Sequence, residues 1–299
     1  MQLGLLACES LGVRSLATYI KTPDTAILID PGAAVAPERF GLPPARAELA
    51  ALEEARQRIQ EAGRQADIVV ISHYHYDHHT PFFEDLYCSA KPEYARELYS
   101  GKILLIKHPE QAINRSQYER SQHFLLHAKN LARNIAYADN QEFVFGSTRI
   151  KFSPPVWHGP SGSPQGYVIM TLVEYGNTRI LHASDVQGPV EEQAAEWIIE
   201  QQPDIIILGG PPTHFLGWRF SKKNLERAVN NVLRILDEAA PQVLVYEHHH
   251  LRDPKYKDRL KEVYEQPQVR TAAEFLGLEN RLLEAKRKEL HKQERQMGT

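Results

Sequence analysis

Four apolar residues, Ile68–Ile71 (IVVI), lead directly into Ser72 and then His73-Tyr74-His75-Tyr76-Asp77-His78-His79. A short run with no polar interruption is what a strand buried on both faces needs. Such strands belong to sheets covered by helices, and α/β folds place their sites just past the strand ends. The chain must therefore bring four histidines and an aspartate to one sheet edge. Residues at i and i+2 of an extended segment point the same way, so His73 and His75 can grip one ion. Asp77 and His78 follow at a turn and can reach a second. Imidazole and carboxylate suit zinc, manganese or iron, whereas magnesium prefers oxygen alone. A second cluster, His248-His249-His250, follows the apolar run QVLVY, so that seven of the 14 histidines fall in these two windows.

The chain between the clusters alternates strand and helix signals. Thr25–Ile29 stops at Asp30-Pro31-Gly32, where proline and glycine end a strand. Residues 45–62 have helical spacing, with Gly63 placed to terminate the helix. Residues 80–145 read as a mostly helical insertion, with 111–134 as its main helix and a hairpin at its end, Glu142–Phe145 with Thr148–Phe152. A hairpin around Gly176-Asn177 leads to Asp185. A helix over 191–201, a buried strand Asp204–Leu208, a helix capped by Ser221 and a last strand, Gln242–Tyr246, complete the pattern. Residues 279–299 carry six basic and four acidic side chains and read as a charged helical tail. Residues 1–278 are then one domain.

Composition excludes several classes. With 35 basic and 38 acidic residues the net charge is −3, unlike a chain that lives on nucleic acid or anionic lipid. Residues 80–145 hold eight basic and eight acidic residues, which disfavours them as a nucleic-acid arm. Two cysteines, Cys8 and Cys88, make neither a disulfide scaffold nor a cysteine-based zinc module. MQLGLLACES lacks a signal peptide's basic start, and no apolar run approaches the ~20 residues of a membrane span. The expected setting is the cytoplasm, with no membrane partner.

His-x-His-x-Asp-His after an apolar strand resembles the signature of the metallo-β-lactamase superfamily. Asp30 in LIDPG, His158 in VWHGP, Asp185 in ASDVQG and a histidine in EHHHLRD follow in the order of its other landmarks. The stretches ESLGVRS, IDPGAAVAPERFGLPP, INRSQ, SDVQGP and GGPPT are similar to one subgroup of uncharacterised archaeal and bacterial predicted metal-dependent hydrolases. The resemblance covers about residues 1–275. It implies an α/β four-layer αββα sandwich with two divalent metal ions, zinc first and manganese or iron next, in a cleft along one edge. It implies that His73, His75 and His158 hold one ion, that Asp77, His78 and either His248 or His249 hold the other, and that Asp185 bridges them. Asp77 and Asp185 are the catalytic carboxylates of that scheme.

The implied activity is hydrolysis by a metal-bridging hydroxide of a small ester-type substrate: a phosphoester, thioester or lactone. A phosphodiesterase or nuclease acting on RNA or DNA is the second reading, and a metal-binding protein without catalysis the third. The aspartate at 185, rather than cysteine, disfavours a β-lactamase. Only 26 residues separate His158 from Asp185, too few for an inserted RNA-processing domain. His214 and Arg252 are candidate substrate contacts, and Thr213, Arg14, Asn114, Arg115 and Arg120 are weaker ones. His79, His182 and Ser184 are expected to support or pack. His108, His123, His127 and His291 have no ligand spacing. The oligomeric state stays open.

Overall fold

A computed structural model describes residues 1–89 and 91–297. The first sheet has six strands: β1 (Gln2–Cys8), β2 (Leu16–Lys21), β3 (Ala26–Ile29), β4 (Ile68–Ile71), β5 (Ile103–Ile106) and β6 (Asn134–Tyr137), in that spatial order. β1 to β3 pair antiparallel, whereas β3 to β6 are parallel. The second sheet draws on β7 (Glu142–Phe145) and β8 (Thr148–Phe152). A separate ribbon of β9 (Val156–Trp157) and β10 (Tyr167–Val168) follows in the chain. The second sheet then resumes with β11 (Thr171–Tyr175), β12 (Thr178–His182), β13 (Ile205–Gly209), β14 (Val243–Glu247) and β15 (Val269–Arg270). Its order is β15-β14-β13-β12-β11-β8-β7, parallel from β12 to β15.

Alternation along the strands explains why their runs are apolar throughout. Ile68 and Val70 of β4 join Ile27 and Ile29 in a core that also holds Ile150, Ile180, Ile207 and Val245 of the second sheet. Val69 and Ile71 point the other way and pack with helices α1 (Arg46–Gln65), α2 (Pro92–Tyr99) and α3 (Arg115–Ala128). On the outer face of the second sheet, Ile206, Leu208, Leu244 and Tyr246 meet α4 (Glu192–Gln201) and α5 (Lys222–Glu238). Both faces of both sheets are therefore covered, giving four layers, αββα, as the resemblance implies. Among the described residues no helix is long and apolar enough to cross a membrane.

Three local expectations change. Gly63 does not end α1, which continues to Gln65; the missing side chain leaves room for Leu98 of α2. Residues 80–145 are not mostly helical. They hold α2, α3 and three strands, β5 and β6 completing the first sheet and β7 starting the second. The tail is also more than a solvated end. After short helices α6 (Tyr256–Arg259), α7 (Lys261–Tyr264) and α8 (Ala272–Phe275), helix α9 (Arg287–Met297) begins with an arginine that is wholly buried. Arg287 donates to both carboxylate oxygens of Glu48 at 2.8 and 2.7 Å, tying the tail to the start of α1.

Candidate metal centre

The strand ends deliver the site. β4 ends one residue before Ser72-His73, β12 ends three residues before Asp185, and β14 ends at Glu247, next to His248. The loops that follow are bent sharply. Asp30, Ser184, Gln187 and His248 all have positive φ, at 50°, 53°, 55° and 74°. Such conformations are costly for residues with a Cβ and persist where the surroundings over-determine them.

Asp185 is the centre of the arrangement. Its Oδ2 lies 3.1 Å from Nε2 of His158, 3.2 Å from His78, 3.3 Å from His248, 3.7 Å from His249 and 3.9 Å from His73. His75 joins His73, His158 and Asp185 in one group of donor atoms that lie within 4.8 Å of one another. Asp77, His78 and His248 form a second group, and Asp185, His248 and His249 a third. Each of the eight positions expected from the sequence is thus brought to one place. The choice between His248 and His249 acquires a geometric difference: only His248 also approaches Asp77, at 3.6 Å.

The outer nitrogens of the rings are held so that the inner ones converge. Nδ1 of His78 bonds to Asp30 Oδ2 at 2.8 Å, and Nδ1 of His73 to Ser72 Oγ at 3.0 Å. Asp30 also accepts the Ser72 amide at 2.8 Å and hydroxyl at 2.6 Å, and Ser184 Oγ lies 2.7 Å from Ser72 Oγ. Gln187 Nε2 sits 3.2 Å from His158 Nδ1. Nε2 of His73, His78 and His158 and Oδ1 of Asp185 are buried with no hydrogen-bond partner. Polar atoms in that condition are expensive unless something else satisfies them. Their donor types and convergence fit divalent transition metals.

Electrostatics follow the same geometry. Burial depresses the basicity of His73, His75 and His249 well below the ordinary imidazole range. Burial opposes ionisation of Asp185 as well, but His248, His78 and His249 outweigh it and keep the carboxyl charged. Burial opposes protonation of His78 too, but Asp185 and Asp30 outweigh it and raise its basicity well above the ordinary range. The ionised Asp185 carboxylate thus faces a protonatable His78 together with weakly basic imidazoles of the kind that ligate metals.

The neighbours separate clearly. His79 Nδ1 donates to His75 O (3.0 Å), and His250 bonds Tyr264 Oη at 2.6 Å; both face away from the cluster. His182 Nε2 bonds Leu16 O at 2.9 Å, a contact between the two sheets. Arg252 does reach the cleft. It is ion-paired with buried Glu9, and its guanidinium lies 3.9 Å from Asp77. His214 lines the cleft beyond His249, with Nδ1 3.2 Å from His249 O, while Thr213 is buried beside it. Arg14, Arg120 and Asn114 line the cleft, Asn114 also capping α3, whereas Arg115 points outward to Glu119. Glu9, Ser72 and Gln187 were missed from the sequence, because none lies in a ligand pattern. Only folding sets Glu9 against Arg252 or Gln187 against His158.

Residues 11–79 match the family model described as the metallo-beta-lactamase superfamily. A UPF0282 protein of Pyrococcus abyssi is 54% identical over 290 residues, covering 97% of this chain and 92% of that relative. Among solved structures, the metallo-beta-lactamase fold protein YhfI from Bacillus subtilis superposes with a TM-score of 0.54 at 15% identity, over 90% of this chain and 95% of that one. The isothiocyanate hydrolase from Delia radicum gut bacteria gives 0.55 at 16% identity, over 88% and 95%. At these identities the likeness to the solved structures is one of fold.

Proposed function

The chain belongs to the UPF0282 family within the metallo-β-lactamase superfamily, and we propose that it is a hydrolase that works with two divalent transition-metal ions on an ester-type bond. The observation that carries this reading is the ring of imidazole Nε2 atoms around Asp185, all within 3.9 Å of its Oδ2, with those of His73, His78 and His158 making no hydrogen bond. His73, His75 and His158 would hold one ion and Asp77, His78 and His248 the other, with Asp185 between them. When bound, such a pair lowers the pKa of a shared water and polarises the bond to be cut. Zinc suits the mixed nitrogen and oxygen donors, as do manganese and iron.

The chain's own groups do the rest. Asp30, Ser72 and Gln187 hold the rings of His78, His73 and His158 in register. Asp77 is the more exposed of the two catalytic carboxylates and lines the cleft, so it can orient a proton at the reacting atoms. The adjoining cavity, about 540 Å³ in volume, is of a size that takes a small molecule. That favours a compact phosphoester, thioester or lactone over a polymer.

The test is elemental analysis joined to a substrate screen. Protein purified without chelator is expected to carry about two equivalents of transition metal. Reconstituted protein is expected to hydrolyse at least one member of a phosphodiester, thioester and lactone panel, with the activity lost in Asp185→Ala. Transition metal absent from the native protein, and not taken up on reconstitution, would overturn the reading.

A further inference from the structure

The cleft does not stop at the metal centre. Beyond His249 lies a second cavity of about 620 Å³, and the two share Arg14, Pro164, Gln165, His249 and Arg252 as common walls. Their charge differs. In the first, Asp77, Asp85 and Asp185 balance Arg14, Arg120 and Arg252, whereas the second is lined by Arg14, Arg219 and Arg252 and by no carboxylate among the described residues. Arg14 and Arg252 are backed by buried acids, Glu284 and Glu9. Arg219 has no carboxylate partner among the described residues. Its guanidinium lies 4.2 Å from the centre of the Trp218 ring, which can fix its plane and leave its donors free. His249 is nine-tenths buried, lines both cavities and has an Nδ1 with no hydrogen-bond partner.

We propose that this second half of the cleft is an anion subsite, in which Arg219, with Arg14 and Arg252, holds a phosphate or carboxylate group of a small substrate whose labile bond lies over Asp185. Guanidinium forks match the paired oxygens of such groups. His249 marks the junction, since its Nε2 lies 3.7 Å from Asp185 Oδ2 while its ring also walls the second cavity. The substrate is then a molecule with two polar ends, the reacting ester at one and a permanent negative charge at the other. This rests on the hydrolase reading, because the first end is assigned to the metal centre.

Three phosphonates test it, since their carbon–phosphorus bonds survive in the site. Propylphosphonate has one anionic end, 4-phosphonobutanoate adds a carboxylate, and 1,3-propylenediphosphonate adds a second phosphonate. Titration calorimetry on the metal-loaded chain reads each affinity without turnover. At least one two-ended probe is expected to bind about tenfold or more tighter than propylphosphonate, a gain typical of a charge-assisted hydrogen-bonded pair. The tighter of the two then identifies the anion. Arg219→Gln is expected to remove most of that ratio, and Arg219→Lys to keep part of it. A wild-type ratio below about fivefold, or a ratio that Arg219→Gln leaves intact, overturns the proposal. Metal content measured on the same preparation separates this failure from failure of the hydrolase reading.

Discussion

At the scale of single residues, His248 and His249 show how two adjacent imidazoles come to differ. His248 has φ 74° and ψ −123°, a region that residues with a Cβ avoid. Its amide is held by Glu247 Oε2 at 3.1 Å, and its ring is sealed from solvent between Glu9, Asp77 and Arg252. That cost is accepted at a position whose nitrogen faces both Asp77 and Asp185. His249, one residue on, begins a single 3₁₀ turn and looks along the cleft instead. Elemental analysis of the two alanine variants should separate them. His248→Ala is expected to fall from about two equivalents of metal to about one, and His249→Ala to keep both. Equal metal loss in both variants would sink this division of labour. The residue pattern around Ile68–His79 was enough to find His73, His75, Asp77 and His78, because spacing along a strand and turn dictates which side chains meet. The order within HHH was not legible, because it depends on one backbone dihedral that no spacing rule sets.

At the scale of elements, the loop after β3 supports the loop after β4. Asp30 is fixed by the Val70 carbonyl at 2.9 Å and by Ser72, and Gly32 runs against the following turn so closely that a Cβ would collide with the backbone of His78 and His79. Backbone cannot swing aside as a flexible side chain can. Gly32→Ala is therefore expected to cost about 3 kcal/mol in urea unfolding, as overpacking does, and to weaken metal uptake. Gly162→Ala, in a loop where a Cβ meets nothing within 4 Å but the backbone is left-handed at φ 77°, is expected to cost only about 1–2 kcal/mol and to leave metal content alone. A Gly32→Ala protein as stable as Gly162→Ala would show that the two loops are not locked. The DPG stop was readable, since proline and glycine end strands. β5 and β6 were not. Each is four residues long, and Ile135 of β6 also fits the helical spacing of the segment before it. What decides for strand is pairing with β4 and β5, a contact between distant segments.

At the scale of the whole molecule, the C-terminal segment completes the cleft from outside the sandwich. Glu284 accepts from Arg14 Nε at 2.6 Å and from its Nη2 at 2.7 Å, and Arg39 Nε lies 3.8 Å away. Its carboxylate is buried and would resist ionisation, but Arg14 first, then Arg252 and Arg39, hold its pKa below the usual value of 4.5, against the nearby charge of Glu9. A carboxylate whose folded pKa is lowered stabilises the fold fully above its unfolded pKa, and the contribution is lost as pH falls through the folded value. Glu284→Gln keeps the shape but removes the charge, so it is expected to cost roughly 2–3 kcal/mol at neutral pH. The gap between wild type and variant should be flat from pH 7 to about 5, then close as pH drops through the acid range below the ordinary carboxylate pKa. Urea midpoints measured across that range provide the readout, and a gap that stays constant down to acid unfolding would show that the pair stores no such energy. The segment that sequence composition presents as a solvated tail would then be the counter-charge that keeps Arg14 at the junction of the two cavities, so the same variant also bears on how the anion subsite is held open.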